Sequence, residues 1–184
     1  MPSLKRRWTV ADLEELPDDG NRYEVIDGEL FVTPAPRFEH QRASMELCVL
    51  LHEYLARSAD AEVIAAPADV VFSPQRGVQP DVFVVPKVEG KRIERFEEAG
   101  RLLLAVEILS PNTARTDRVA KRVLYRSEGV VEYWIVDLES RTFERSTPAD
   151  PRVEILAEQI QWRPEEATEP LVIDLVAYFA RVLG

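Results

Sequence analysis

Residues 101–125 read RLLLAVEILSPNTARTDRVAKRVLY, and the rest of the chain is organised around this stretch. Its first part is an aliphatic run long enough for one strand, and such a run is typical of a strand buried on both faces. Glu107 interrupts the run, and an ionised carboxylate there is costly unless a cation or several hydrogen-bond donors meet it. The strand should end at Ser110-Pro111, because proline cannot donate a hydrogen bond to a sheet.

The helix that follows should carry an acid and a lysine close to this buried acid. Asn112 or Thr113 can cap it. Asp117, Lys121 and Tyr125 are spaced four residues apart and share one stripe of the helix. At about 100° per residue this stripe borders a predicted apolar arc formed by Val119, Ala120, Val123 and Leu124. Lys121 therefore either leans toward the end of the preceding strand or forms an ordinary i,i+4 ion pair with Asp117.

The composition is that of a globular protein. Residues 1–184 are expected to form one domain, and 46% hydrophobic and 30% charged residues fit that class. The single cysteine, Cys48, excludes an internal disulfide, and the start of the chain has no hydrophobic segment typical of a signal peptide, so we expect a cytoplasmic protein. The net charge of −10 argues against a generic nucleic-acid binder, but not against an enzyme that uses metal ions and a local basic patch.

The first third of the chain should contain two helices and a hairpin. Residues 8–16 look like a short helix capped by Thr9. The strongest hairpin signal is YEVIDGELFV, residues 23–32, with its turn at Asp27-Gly28. The alternation places Glu24 opposite Phe31 on a half-buried face, an unusual position for a charge. An amphipathic helix should then span Phe38–Ser58, with His40 on its apolar stripe, where a histidine is more often a satisfied core residue than a ligand.

Further strands are predicted on both sides of the 101–125 stretch. Residues 62–72 and 79–86 are strand candidates separated by a turn, and the second is apolar on both faces except for Asp81. VVEYWIVDL, residues 130–138, is another buried strand, and 141–147 is its expected hairpin partner. Residues 154–162 and 171–183 should add strand and helix. The predicted class is α/β (α+β).

Asp81 and Glu107 are the main candidates for chemistry. If their strands are neighbours, the two carboxylates can meet on one face of the sheet, and their repulsion raises the pKa of one of them. A divalent cation removes this penalty, and carboxylates with water are the ligands that Mg²⁺ prefers. The alternative is two separate buried acids, each satisfied by backbone donors.

The helix after the Glu107 strand also carries a stripe of arginines. Their guanidinium groups match phosphate geometry, so a nucleic-acid backbone could lie along them. The alternative is a solvated face paired with acids elsewhere. In both cases we expect the side chains to face solvent. The stripe consists of Arg115, Arg118, Arg122 and Arg126.

Taken together, these motifs resemble the Uma-two family of the PD-(D/E)XK phosphodiesterase superfamily, to which restriction endonucleases belong. The resemblance covers roughly residues 8–137 and rests on the ordered set YEVIDGEL, His40, QPDVFVV, VEILSP, the spacing of Thr113, Asp117, Lys121 and Tyr125, and GVVEYWIVD. It implies an αβββαβ core with a central mixed sheet flanked by helices. It also implies that Asp81 and Glu107 are the two acids of the family's site.

The chain departs from the superfamily pattern at one position. The superfamily's lysine normally stands two residues after the second acid, where this chain has Leu109. The resemblance implies that Lys121 takes over that role from the following helix. It further implies a Mg²⁺-dependent (or Mn²⁺-dependent) DNA endonuclease in which Asp81, Glu107 and the backbone carbonyl of Ile108 hold the metal.

Four further residues have supporting roles in this hypothesis. Glu24 would supply an outer metal ligand or a base. His40, Asp117 and Tyr125 would support the residues that contact the metal. Two alternatives remain open. One is a catalytically silent DNA-binding or protein-interaction module, with a homodimer as one form, which Leu109 and the acidic total charge favour. The other is a metal-dependent hydrolase of a small phosphoester, which would need a closed pocket.

Overall fold

The computed structural model describes residues 6–164, 167 and 169–184. Its helices are α1 (Val10–Leu13), α2 (Phe38–Ser58), α3 (Phe96–Ala99), α4 (Ala114–Thr116), α5 (Arg122–Ser127) and α6 (Leu175–Leu183), and a π-helical turn (Asp117–Lys121) joins α4 to α5. Its strands are β1 (Arg22–Ile26), β2 (Glu29–Thr33), β3 (Ala61–Ala65), β4 (Val70–Ser73), β5 (Arg76–Val78), β6 (Val82–Pro86), β7 (Leu104–Ile108), β8 (Tyr133–Asp137), β9 (Thr142–Thr147), β10 (Asp150–Leu156), β11 (Gln159–Trp162) and β12 (Leu171–Asp174).

A mixed sheet forms the centre of the molecule, with strands in the order β10-β9-β8-β7-β6-β3. β6 pairs antiparallel with β7, whereas β7 pairs parallel with β8. Parallel neighbours need a crossover connection, and α4, the π-helical turn and α5 provide it. The succession α2, β3, β6, β7, crossover helix and β8 is the predicted αβββαβ core, so the expected fold is confirmed.

A smaller antiparallel sheet, ordered β2-β1-β5-β4, carries the predicted hairpin. The turn residues Asp27 and Gly28 have φ values of 52° and 81°, which favour Asp-Gly at a tight hairpin turn. Glu24 pairs with Phe31, as the alternation predicts. α1 packs on this sheet so closely that a Cβ added to Gly77 would lie 2.6 Å from a methyl group of Val10.

The central sheet is buried on both faces, which explains why its middle strands have almost continuous apolar sequences. One core lies between the sheet and helices α2 and α6, and it includes Val106, Ile108 and Trp134. The other lies beneath α5 and the small sheet, and it includes Ala105 and Tyr125. Glu107 alternates with Val106 and Ile108, so it belongs to the second face.

Two predicted elements differ from the observed ones in extent. The helix expected at 8–16 is helical over Val10–Leu13 only, although Thr9 and Asp12 do form a capping box. The strand expected at 62–72 is interrupted near Pro67 and forms β3 and β4 in two different sheets. The predicted final strand and helix are confirmed as β12 and α6. Within the part of the chain that the structure describes, no helix is long and apolar enough to cross a membrane.

Two of the four residues in the predicted apolar arc of the crossover helix are exposed, so that part of the prediction is wrong. Val119 and Val123 are 59% and 63% exposed, whereas Leu124 is buried. The prediction assumed a uniform turn of about 100° per residue, but the π-helical turn Asp117–Lys121 widens the helix there and rotates the residues that follow. The wider turn directs Asp117 and Lys121 into the protein, and both are buried.

Candidate active site

The two acids that the sequence singles out lie on neighbouring strands. Asp81 directly precedes β6, and Glu107 lies near the end of β7. Val82 pairs with Val106 in this antiparallel ladder, so extending the register by one pair places Asp81 opposite Glu107 on the same side of the sheet. The condition set by the sequence, that the two strands be adjacent, is therefore met.

Asp81 is held by donors on both of its oxygens. Oδ1 accepts a hydrogen bond of 2.8 Å from Nη1 of Arg22. Oδ2 lies 3.0 Å from Nε2 of His40 and accepts the backbone N–H of Ile108 at 2.7 Å. Burial alone would raise the pKa of Asp81, but His40, Arg22 and Lys121 outweigh it and bring the pKa to about 2. Asp81 is thus a carboxylate over the whole physiological range.

Glu107 lies in a very different environment, fully buried in the protein. Its Oε1 accepts hydrogen bonds from Nζ of Lys121 at 2.9 Å and from the hydroxyl of Tyr125 at 2.8 Å. Its Oε2 has no hydrogen-bond partner among the described residues. Burial raises the pKa of Glu107 well above its usual value despite the nearby Lys121, and the charges of Asp81 and the other acids add to the shift.

Lys121 is the cation at the centre of this acid cluster, and its side chain is 1% exposed. Its Nζ lies 2.9 Å from Glu107, 2.9 Å from Glu24 and 3.7 Å from Asp117. The i,i+4 pair with Asp117 is thus the longest of the three contacts. Burial would lower the pKa of Lys121, but the three carboxylates raise it, so the side chain stays an ammonium.

Glu24 and Asp117 complete the cluster from two other elements. Glu24, from β1, accepts the backbone N–H of Gln79 at 2.8 Å as well as the ammonium of Lys121. Burial raises the pKa of Asp117, against the opposing effects of Lys121 and Thr113. Each of the predicted residues from β1, α2, β6, β7 and the crossover helix is thus brought to one place in the fold.

The charges of this site do not balance. Four carboxylates, those of Glu24, Asp81, Glu107 and Asp117, face the cations Arg22 and Lys121, with His40 beside Asp81. With all four carboxylates ionised and His40 neutral, the set would carry two excess negative charges, and a divalent cation would favour that ionised state; the unpartnered Oε2 of Glu107 fits such a ligand. No set of three or more His, Cys, Asp or Glu side chains that could hold a metal ion occurs in residues 6–164, 167 and 169–184. A metal here would therefore rely on two carboxylates, backbone oxygen and water, as Mg²⁺ commonly does.

A cleft of about 740 Å³ opens onto the Asp81 side of the cluster. Asp81, Arg22 and His40 line it, together with the loop that leads from β7 to α4. Glu107 and Lys121 lie behind them, 0% and 1% exposed. Asp81 is itself buried, so Arg22 and His40, with side chains 17% and 13% exposed, are the members of the site that a substrate in the cleft would meet first.

The arginine stripe is divided between two environments. Arg118 forms ion pairs with Glu144 at 2.6 Å and Asp137 at 2.8 Å, and Arg122 contacts Glu144 at 2.5 Å. These two side chains are therefore only partly exposed, 39% and 24%, and they pair with acids, as the alternative expected. Glu144 and Asp137, on β9 and β8, attract them because the crossover helix packs above those strands. Arg115 and Arg126 are exposed.

This division leads to a first prediction. Replacing Arg118 and Arg122 together with Ala should lower the free energy of unfolding by about 1–3 kcal/mol, because Glu144 is buried and loses its partners. The matched variant, with Arg115 and Arg126 both changed to Ala, should keep its stability. In this second variant, the slope of the logarithm of the DNA-binding constant against the logarithm of the salt concentration should become shallower. The change should be about one unit for each phosphate that the protein no longer neutralises. Chemical denaturation and binding titrations at several salt concentrations measure both effects. An unchanged salt slope in the second variant would exclude its side chains from the DNA interface.

Two residues of the site were missed by the sequence analysis. Arg22 pairs with Asp81, and strand alternation could have placed it beside Glu24, because the two residues are two apart on β1. Tyr133 donates a hydrogen bond of 3.0 Å from its hydroxyl to the backbone carbonyl of Asp117, in the π-helical turn. No sequence signal marks Tyr133, which reads as an ordinary core residue of β8.

The fold and site together define a class of protein. A mixed sheet in which two neighbouring antiparallel strands bring two acids together is the arrangement expected of the PD-(D/E)XK class, and here the crossover helix supplies the lysine that the class normally carries after the second acid. The model of the Uma2 family, described as "Putative restriction endonuclease", matches residues 10–176. The chain belongs to this family, as the sequence resemblance implies.

Known structures support the same fold. The chain is similar to a crystal structure described as "a putative nuclease belonging to DUF820 from Anabaena variabilis ATCC 29413". The TM-score is 0.78 at 21% sequence identity, over 95% of this chain and 99% of the other. A comparison with curated proteins found no matching relative.

Proposed function

We propose that this protein is a metal-dependent endonuclease that hydrolyses phosphodiester bonds in DNA and uses Mg²⁺ or Mn²⁺. The observation that carries the proposal is the ammonium of Lys121, buried 2.9 Å from Glu107, which lies on the same face of the sheet as Asp81. A lysine that merely paired with Asp117 on the helix surface would not take this position. Membership of the Uma2 family supports nuclease chemistry.

Asp81, Glu107 and the backbone carbonyl of Ile108 are the proposed metal ligands. When bound, the metal would lower the pKa of a water molecule and offset negative charge on the scissile phosphate. Asp81 is suited to this role because its pKa of about 2 keeps it ionised. Glu107 is suited because its Oε2 has no partner in the described part of the chain.

Lys121 supplies a fixed positive charge within the site. Its ammonium would orient the attacking water or stabilise the charge that develops on the phosphate. Glu24 and Asp117 hold this ammonium in place, and the hydroxyl of Tyr125 fixes the carboxylate of Glu107. Leu109, at the usual lysine position, packs instead against the core beneath α5.

The main competing function is a module that keeps this fold without catalysis. One observation favours it: Arg22 and Lys121 already neutralise Asp81 and Glu107 in part, as the cations of a purely structural network would. The two functions differ in their response to metal. A structural network should not bind a divalent cation, whereas the proposed site should.

A second prediction tests the metal site by stability. Mn²⁺ or Mg²⁺ at a hundred times its Kd should raise the free energy of unfolding by about 2.7 kcal/mol. Without metal, Glu107→Gln should be more stable than the parent. The raised pKa of Glu107 means that its ionised form costs free energy in the folded state at neutral pH, and glutamine removes that cost.

Glu144→Gln is the matched control for this test. It alters another buried carboxylate, which pairs with Arg118 and Arg122, so stability should fall while the metal response stays. Thermal melts with and without metal measure both variants. A full metal response in Glu107→Gln would remove Glu107 from the metal site.

The substrate class can be tested by comparing esters. We expect Mg²⁺-dependent cleavage of supercoiled plasmid, linear duplex or single-stranded DNA, and little turnover of bis-p-nitrophenyl phosphate, a small diester. The reverse preference would favour the hydrolase of a small phosphoester.

A further inference from the structure

Arg22 is a cation within the candidate site that the proposed mechanism does not yet use. It lies at the start of β1, lines the cleft, and its side chain is 17% exposed. Its Nη1 donates to Oδ1 of Asp81 at 2.8 Å and to the backbone carbonyl of Gln79 at 2.9 Å. Its Nε is buried and has no hydrogen-bond partner among the described residues.

The contacts of Asp81 make Arg22 a competitor for a metal ion. Oδ2 is engaged by His40 and by the backbone N–H of Ile108. Oδ1 is engaged by Arg22 alone among the contacts that the structure shows. A cation that binds Oδ1 of Asp81 must therefore displace Arg22 or share the oxygen with it against charge repulsion.

The displaced guanidinium would still lie at the cleft wall with donors to satisfy. Its fork of N–H groups matches the oxygens of a phosphodiester, and a guanidinium released from a carboxylate gains most from another anion. The bond from Nη1 to Oδ1 of Asp81 is the one that would be given up, and the unpartnered Nε adds a second donor that a phosphate oxygen could accept.

On this geometry, and resting on the proposed function, we propose that Arg22 is a phosphate-binding residue that is exchanged between Asp81 and the substrate. In the free protein it neutralises Asp81. When a divalent cation binds Asp81, Arg22 is released to a phosphodiester oxygen of the DNA. Arg22 thus opposes metal binding in the free protein and promotes DNA binding in the metal-loaded one.

The proposal predicts opposite effects of one substitution. In Arg22→Gln, the affinity of the free protein for Mn²⁺ should rise about tenfold, because the competing cation is gone. The KM for DNA at saturating Mn²⁺ should rise about tenfold or more, because the variant has no guanidinium to bind the phosphate. Calorimetric titration with Mn²⁺ alone and steady-state cleavage of plasmid DNA measure the two effects.

Arg37→Gln is the matched control. Arg37 is exposed and lines the same cleft, so this variant removes an equal charge from the cleft wall and leaves the pair between Arg22 and Asp81 in place. Its Mn²⁺ affinity should change by less than about twofold. An equal gain in Mn²⁺ affinity in both variants would mean that the total charge of the cleft wall, and not exchange at Asp81, sets the affinity. That result would overturn the proposal.

A measurement on the unsubstituted protein covers the case in which Arg22→Gln does not fold. In ¹⁵N NMR spectra, the Nε signal of Arg22, assigned by its absence in Arg22→Lys, should shift when Mg²⁺ is added. It should shift again when dimethyl phosphate, a phosphodiester, follows. A signal that does not respond to Mg²⁺ in a protein that binds the metal would overturn the exchange. If the protein binds no metal at all, the proposed function fails first, so the two failures are distinguishable.

Discussion

Replacing Lys121 with methionine should lower the rate of DNA cleavage by about a hundredfold or more, the reduction typical of removing a positioned electrostatic group from an enclosed site. Methionine keeps much of the packing of the lysine stem and removes its charge. The side chain of Lys121 is 1% exposed, so a cation from bulk solvent cannot take the place of the lost ammonium. Single-turnover cleavage at saturating Mg²⁺ is the appropriate measurement, because it separates chemistry from DNA binding.

The structure also predicts a cost to stability in this variant. Glu24, Glu107 and Asp117 lose the cation that they share, and an uncompensated buried charge typically costs about 3–5 kcal/mol. Saturating Mg²⁺ should offset part of this cost, so circular dichroism must confirm folding under the assay conditions. Lys87→Met removes a lysine that pairs with Asp60 at the surface and should cleave at the parental rate. Parental cleavage by a folded Lys121→Met would disprove the role of the lysine.

A lysine introduced at Leu109 of the Lys121→Met variant is a test of rescue. It would place an ammonium where the superfamily normally has one, two residues after Glu107 and directly beyond the end of β7. Leu109 packs against the core beneath α5, so the recovery should be partial.

Asp81→Asn should lower cleavage further, on the order of a thousandfold, because it weakens metal binding and, with it, the stabilisation of the developing charge. Asparagine is close in size to aspartate and retains one oxygen for the backbone N–H of Ile108. The expected accompanying result is that Mn²⁺ binding by calorimetry disappears. Asp69→Asn is the control, since Asp69 is a carboxylate that lines the same cleft. Tight Mn²⁺ binding by Asp81→Asn would place the metal elsewhere.

The sequence predicts the centre of this site because two physical rules act strongly there. A charge within an unbroken apolar run is conspicuous, which identifies Asp81 and Glu107. The pairing of the hairpin residues follows from the Asp27-Gly28 turn, which brings Glu24 to a face with no obvious partner. The resemblance to the Uma-two family connects these acids to Lys121, a link that periodicity alone leaves open.

The rest depends on contacts between residues distant in sequence. The π-helical turn changes which side chains of the crossover helix are buried, and a uniform helical repeat cannot predict it; Val119 and Val123 show the consequence. The pairing of Arg118 and Arg122 with Glu144 requires the packing of that helix over β9. Arg22 reaches Asp81 only because the small sheet is placed beside the central one.

The most direct test of the central claim is cleavage of plasmid DNA by the purified protein with Mg²⁺ and with EDTA, alongside Asp81→Asn. We predict nicked or linear products with Mg²⁺, and uncut plasmid both with EDTA and with the variant. Uncut plasmid in every sample, from a parent protein whose melting temperature does not respond to Mg²⁺ or Mn²⁺, would contradict a metal-dependent nuclease site. Equal cleavage by Asp81→Asn would contradict it as well.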